Sequence, residues 1–348
     1  MKYEKTSSFP LLISGQEGYD TFRIPALITL PGGRILAFAE GRRFGAHDAG
    51  DIDLVLKISD DGGRTFGPLK IVVSGHGNTA GNPCPVYDRD TGKVLLMFNR
   101  NTAEGHEGLI LQGKAPRTVH LTESADGGET WAPERDITVQ TKMPLWTWHA
   151  VGPCHAIQLN SGRIVVPCNH AVLDPEAAKS GPVRSHTLYS DDHGCTWKIG
   201  RDVADTTNEC TVTELKDGRV LINMRMHPIQ TCRSLAVSLN GGDAFGQFRF
   251  VEAMPGPGCE GSMLTVEHGD AEYVLVSNPS HPTNRELLII HESADGGDTW
   301  QDGYVVTEGP AAYSDLTQLD EDHIAVIYET GTEHPYEKIE CTVLKLRM

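Results

Sequence analysis

Three arginines sit where an apolar strand would not ordinarily carry charge. They are Arg23 in Phe22-Arg23-Ile24-Pro25-Ala26-Leu27, Arg225 in Asn223-Met224-Arg225-Met226, and Arg285 in Asn284-Arg285-Glu286-Leu287. Taken singly, each reads as a surface side chain lying along apolar neighbours or as half of a structural ion pair. Three of them in separate segments of an acidic chain read differently. A guanidinium presents a planar fork that grips a carboxylate through two parallel hydrogen bonds, which a lysine cannot reproduce. The set points to capture of a carboxylate ligand.

The rest of the composition narrows the choice. The formal net charge of −17 disfavours nucleic acid and anionic membrane as partners, so an anion must be held by local Arg residues against the global field. With 348 residues the chain can bury a substantial core as one large all-β domain or two average ones. Its eight cysteines lie far apart without C-x-x-C spacing, which reads as reduced thiols packed as small apolar residues. Scattered histidines lack metal-ligand spacing, and neither Cys154-His155 nor Cys210 beside Glu209 makes a thiol-hydrolase set. No metal or cofactor is expected. The opening Met1 to Pro10 has no apolar h-region and no later run approaches a membrane span, so a cytoplasmic protein is expected.

The elements that must position the arginines announce themselves by repetition. Ser124-Ala125-Asp126-Gly127-Gly128-Glu129-Thr130-Trp131 recurs as Ser293 to Trp300, Ser59 to Phe66 and Ser190 to Trp197, and in a worn copy, Ser238 to Phe245, that has lost the Thr. The pattern Ser-x-Asp-x-Gly-x-Thr-Trp/Phe, an Asp-box, is a hairpin turn. Its Ser and Asp oxygens bind nearby backbone N–H groups, Gly supplies positive φ, and the aromatic plugs into the core. A calcium loop is the functional rival, but no copy has the Asp-x-Asp-x-Asp-Gly run and distal Glu of an EF-hand.

The turns start at 59, 124, 190, 238 and 293, a spacing on the scale of a β-propeller blade. Six turn-then-strand segments recur, from Gly33 to Phe38, Gly92 to Phe98, Gly162 to Val166, Gly218 to Ile222, Tyr273 to Val276 and His323 to Ile327. Apolar or alternating strands precede the turns, and no long stretch of period 3.6 appears. The expected fold is all-β, a six-bladed β-propeller in a single domain over residues 1–348. Phe9 to Ile13 and Lys338 to Leu344 should share a sheet that closes the ring and hides its edges. Leu173 to Gly181 reads as a solvent loop with one helical turn.

With Phe22-Arg23-Ile24-Pro25, the Asp-box turns and Arg residues on later blades, the chain resembles the exo-α-sialidases (neuraminidases), a family of six-bladed β-propellers. Asn82 to Asp88, Ala150 to Pro153, Asn208-Glu209-Cys210 and Ala312 to Leu316 look like the compact cytosolic type without lectin domains. The resemblance implies that Arg23, Arg225 and Arg285 form the carboxylate-binding triad, with Glu329 holding the fork of Arg23 and Glu337 a second candidate for that task. It implies Tyr313 as nucleophile, Glu209 as its base and Asp48 as acid/base on a mobile loop. Arg42 and Asn82 match positions contacting the 4-hydroxyl and N-acyl region of the sugar. Without the resemblance, Asp48 reads as a turn residue, Tyr313 as a strand aromatic and Glu209 as a strand-edge carboxylate.

The implied chemistry suits these residue types. A sialic acid carries its carboxylate on the anomeric carbon, so an anionic nucleophile would approach against like charge, and sialidases use a tyrosine instead. A neutral phenol, with a pKa of about 10, needs a carboxylate neighbour to take its proton during attack. The implied substrates are sialylated oligosaccharides, glycoproteins or glycolipids. One stretch departs from the compact pattern: Cys168-Asn169-His170-Ala171 stands where that type places tyrosines that hold the glycerol side chain. Trp146 and Trp148 could stack on the sugar instead, or pack in the core. Two alternatives stay open, a glycosidase of the same mechanism acting on another nonulosonate such as Kdn, and a non-catalytic lectin for sialylated glycans.

Overall fold

A computed structural model of the chain describes residues 1–177, 179–226 and 231–347. Short apolar runs broken by Gly and Pro fold almost wholly into strands. After β1 (Lys2–Ile13), an antiparallel run comprises β2 (Thr21–Thr29), β3 (Ile35–Arg42), β4 (Ile52–Ser59) and β5 (Lys70–Val73). It is followed by β6 (Thr79–Asp88), β7 (Lys93–Asn101), the helix α1 (Glu107–Leu111), β8 (Arg117–Ser124) and β9 (Arg135–Asp136). A parallel contact of Ile52 with Thr79 joins β2–β9 into one sheet.

Beyond α2 (Thr138–Thr141), the second sheet holds β10 (Trp146–Val151), β11 (Ile157–Gln158), β12 (Ile164–Asp174), β13 (Lys179–Ser190) and β14 (Lys198–Ile199). The third holds β15 (Thr207–Glu214), β16 (Val220–Met226), β17 (Cys232–Ser238) and β18 (Arg249–Pro255). The fourth runs from β19 (Ser262–His268) through β20 (Ala271–Pro279), β21 (Glu286–Ser293), β22 (Gln301–Asp320), β23 (His323–Thr330) and β24 (Lys338–Arg347). Its long β22 pairs first with β21 and then with β23. The arrangement is all-β and propeller-like. As expected, residues 9–13 and 338–344 share a sheet: β1 lies antiparallel to β24, with Lys2 opposite Arg347 and Phe9 opposite Cys341.

The recurring turns close by one hydrogen-bond scheme. Ser124 Oγ donates to Asp126 Oδ1 at 2.8 Å and accepts from Gly128 N–H at 2.9 Å, while Thr130 donates its N–H and hydroxyl to Asp126. Asp61, Asp192 and Asp295 do the same for Thr65, Thr196 and Thr299. In the worn copy Asn240 replaces Asp and accepts the Ser238 hydroxyl and the Ala244 N–H, with no Thr hydroxyl to add the further bond. The aromatics divide the labour of packing: Phe66, Trp131, Trp197, Phe245 and Trp300 each join a different buried apolar cluster.

The interior also carries a polar hub. Buried Asp315 on β22 accepts from Leu27 N–H of β2, from His155 and from the Ser262 hydroxyl of β19, drawing distant segments together. Leu173 to Gly181 departs from expectation. Instead of a helical turn it is the tip of a hairpin, with Leu173 opposite Ser180 and Asp174 opposite Lys179; Ala178 lies outside the described residues. Cross-strand pairing outweighs the local helix preference of Glu176 and Ala177.

Candidate active site

Five irregularities in the strands aim side chains into one cavity. Register shifts interrupt β2 after Arg23, β6 at Asn82, β10 at Trp148, β15 at Glu209 and β22 at Tyr313. Ile24 and Asn82 take positive φ of 58° and 57° there. An extra residue in one strand bends it and re-aims its neighbours, which is what these positions require. Arg42 ends β3, Asp48 lies on the loop to β4, Arg225 is on β16 and Arg285 directly precedes β21. Arg23, Arg42, Asp48, Asn82, Glu209, Arg225, Arg285 and Tyr313 all line the same cavity of about 540 Å³.

Arg23 is fixed by Glu329 of β23. Its Nε and Nη2 donate to the two carboxylate oxygens at 3.0 and 3.1 Å, and Glu329 also accepts the N–H groups of Ile24 and Tyr313. Burial works against the Arg23 charge, but Glu329 and the rings of Tyr336 and Tyr313 outweigh it and hold the guanidinium firmly protonated. Glu337 does not share this task. It accepts N–H bonds from Thr332, Glu333 and His334, so it caps the loop after β23.

The Tyr313 hydroxyl donates to Glu209, whose oxygens lie 2.6 and 2.8 Å away. Burial raises the phenol well above its ordinary range and Glu209 raises it further, against the pull of Arg225 and Arg285. The phenol is therefore neutral, with a proton acceptor in contact. Arg225 donates to Glu209 at 2.6 Å, and Arg285 donates to the Tyr336 hydroxyl at 2.6 Å.

Asp48 lines the same cavity from the loop between β3 and β4. Water reaches 70% of its side chain, although the pocket surrounds it, and Arg42 and Arg23 stand 2.8 and 3.5 Å from Oδ1. Desolvation would raise this carboxyl, but Arg42 and then Arg23 outweigh it and hold it below the ordinary range. Buried Arg42 is itself clamped by Glu40 and by the Ala46 carbonyl. A guanidinium cluster, a neutral phenol paired with a carboxylate, and a separate loop carboxyl can together bind an anion and move protons.

Residues 33–326 match the BNR repeat-like domain family. The chain is 31% identical over 341 residues to a sialidase of Micromonospora viridifaciens, covering 92% of this chain and 52% of that protein. It is 30% identical to an exo-alpha-sialidase of Aspergillus fumigatus, covering 90% of this chain and 79% of the relative. The chain belongs to the sialidase family. Among solved structures, the Hadza microbial sialidase Hz136 superimposes with a TM-score of 0.87 at 24% identity, over 97% of this chain and 68% of that one. The chain thus spans about half the length of the Micromonospora sialidase and most of the fungal one.

Several lining residues of this sialidase-family pocket escape a reading of the sequence. Arg117, at the start of β8, donates to Asn82 Oδ1, Asn101 Oδ1 and the His149 carbonyl, and burial pushes it down to about 10. Glu107 on α1 faces the cavity with its carboxyl raised by burial and by Asp48 and Glu209. Tyr336 stacks beneath Arg23, 4.2 Å from ring centroid to guanidinium carbon. Trp148 lines the pocket and lies against Arg117 at 4.3 Å, whereas Trp146 faces a different cavity and stacks on His170. Asn169 and His170 do not line the pocket either: Asn169 accepts from the Trp148 indole, and His170 is buried beneath Trp146.

Among the described residues, no helix is long and apolar enough to cross a membrane.

Proposed function

We propose that the chain is a retaining exo-α-sialidase, a six-bladed β-propeller with Asp-box turns in which residues 1–348 form one catalytic domain. The observation that carries the reading is the Tyr313 hydroxyl 2.6 Å from Glu209 within a cavity that also holds Arg23, Arg225 and Arg285. A lectin would need the three arginines but not the phenol–carboxylate pair.

In this reading the three arginines hold the carboxylate of a terminal sialic acid, Glu329 keeps the Arg23 fork in place, and Arg42 and Asn82 meet the 4-hydroxyl and N-acyl region. Asp48 gives its proton to the glycosidic oxygen as the bond to the anomeric carbon breaks. Glu209 takes the Tyr313 proton as the phenolic oxygen bonds to that carbon through an oxocarbenium-like transition state. The aglycone leaves and a tyrosyl glycoside remains. Asp48, now ionised, takes a proton from water as the water attacks, and Tyr313 departs with the proton returned by Glu209. Two inversions give net retention. The substrates are sialylated oligosaccharides, glycoproteins or glycolipids.

A mechanism-based fluorosialoside should label Tyr313 and no other residue, read by peptide mass spectrometry, and the first product seen by NMR should be the α-anomer. Tyr313→Phe should lose orders of magnitude in turnover with its melting temperature kept. Near-normal turnover by that variant would remove Tyr313 as nucleophile.

A further inference from the structure

Away from the pocket, β10, β12 and β13 gather three histidines and a cysteine. In the antiparallel register His149 lies opposite His170, and Cys168 lies opposite His186, so alternation places all four on one side of the sheet. All four are fully buried. His170 Nδ1 and His186 Nδ1 share a hydrogen bond at 3.0 Å, and Trp146 covers His170 with ring centroids 3.6 Å apart. This leaves His186 Nε2 and both ring nitrogens of His149 buried without a hydrogen-bond partner. Each buried unpartnered polar atom in a native interior calls for an explanation. Here three are gathered beside a thiol, and one ligand atom each from His149, Cys168 and His186 lies within 4.8 Å of the others.

We propose that His149, Cys168 and His186 bind one monovalent copper ion. Charge and softness select the ion. One thiolate and two neutral imidazoles sum to −1, so Cu(I) makes the buried site neutral, whereas a divalent ion would leave a net positive charge where charge is costly. Thiolate donors also favour Cu(I). Metal–ligand bonds of about 2.0–2.3 Å in a trigonal site put donors roughly 3.5 Å apart, so the three side chains need close by only about 1 Å.

The surroundings fit a ligand set. His149 and His186 each keep a ring nitrogen free of any hydrogen bond and available to a metal. The ion displaces the Cys168 thiol proton as the Cu–S bond forms, releasing one proton per ion. His170, with its Nε2 3.5 Å from Asp202, orients His186 from behind in the way outer-shell groups orient metal ligands. A cavity of about 710 Å³ lined by Trp146, which covers His170, also carries the soft thioether of half-exposed Met143.

The test is an anaerobic titration of the reduced, metal-free protein with Cu(I) against a chromophoric Cu(I) chelator. One ion per chain is expected, with a copper absorption edge fitted by one sulfur and two nitrogens and a raised melting temperature. Cys168→Ser should weaken binding by about a hundredfold or more. Substituting the exposed thiol, Cys195→Ser, should leave it unchanged. Failure of the wild type to hold Cu(I) against the chelator would overturn the proposal. So would stoichiometric binding that survives Cys168→Ser, a copper edge without sulfur, or tighter binding of Zn(II) than of Cu(I). Should Cys168→Ser not fold, the wild-type stoichiometry and absorption edge decide.

Discussion

The Arg225 guanidinium donates to the Glu209 carboxylate at 2.6 Å, and the same nitrogen stands 3.2 Å from the Tyr313 hydroxyl. One of the three arginines proposed to hold the substrate is thus occupied, before substrate arrives, by the base proposed to activate the nucleophile. An incoming carboxylate competes with Glu209 for Arg225.

Glu209→Gln separates the two effects. Loss of the base should lower kcat by about 10²–10⁴-fold. KM should not rise, because Arg225 is released to the substrate. Steady-state kinetics on a fluorogenic sialoside reads both constants, and a KM that climbs as kcat falls would place Glu209 in binding instead.

The pH profile should reveal Asp48. Burial would raise its carboxyl, but Arg42 and Arg23 hold it below the ordinary range, so the free protein carries Asp48 ionised at neutral pH. A general acid must be protonated, so kcat/KM, which reports the free protein, should fall on the alkaline side at lower pH than kcat does. A substrate carboxylate on Arg23 offsets that cation and raises Asp48 in the complex. Arg42→Met removes the stronger cation, so the alkaline limb of kcat/KM should move upward even as binding weakens. An unmoved limb would take the acid role from Asp48.

Tyr336→Phe should act on binding. The Tyr336 hydroxyl accepts from Arg285 at 2.6 Å, and a hydrogen bond to a charged group contributes about 1.5–3 kcal/mol. Its loss should raise KM roughly tenfold, at the low end of that range, with kcat nearly unchanged. A drop in kcat with constant KM would mean that Tyr336 acts on the transition state alone.

Ser124→Ala tests the turns as scaffold. Its hydroxyl is the acceptor for the buried Gly128 N–H, and leaving that donor unpaired should cost about 1–3 kcal/mol in urea unfolding. None of the turn from Ser124 to Trp131 lines the active-site cavity, so the folded fraction should keep its kcat. Lost turnover without lost stability would contradict a purely structural role.

Much of this architecture is legible in the sequence because it rests on local, repeated chemistry. The Ser-x-Asp turns carry their own hydrogen-bond partners within seven residues, and Arg23 stands out against the apolar run around it. The eight lining residues expected from the sequence do meet in one cavity. Arg117, Glu107 and Tyr336 were invisible for specific reasons. Arg117 opens an ordinary strand, Glu107 rides a five-residue helix too short to show a period, and Tyr336 sits in an irregular loop. Histidines 149, 170 and 186 show no ligand spacing along the chain because cross-strand register, not sequence distance, brings them together. The hairpin at Leu173 reads as a loop in the sequence for the same reason.

The meeting of Lys2 with Arg347 also sets the order of events during biosynthesis. β1 is synthesised long before its partner β24, so the nascent chain displays an open edge while the strands between them are made. Such an edge is a template for pairing with other chains, and closures this distant in sequence form slowly. β1 carries exposed Lys2, Glu4, Lys5 and Pro10, the charges and proline that discourage edge pairing. β1 is thus equipped as its own gatekeeper against aggregation until β24 arrives.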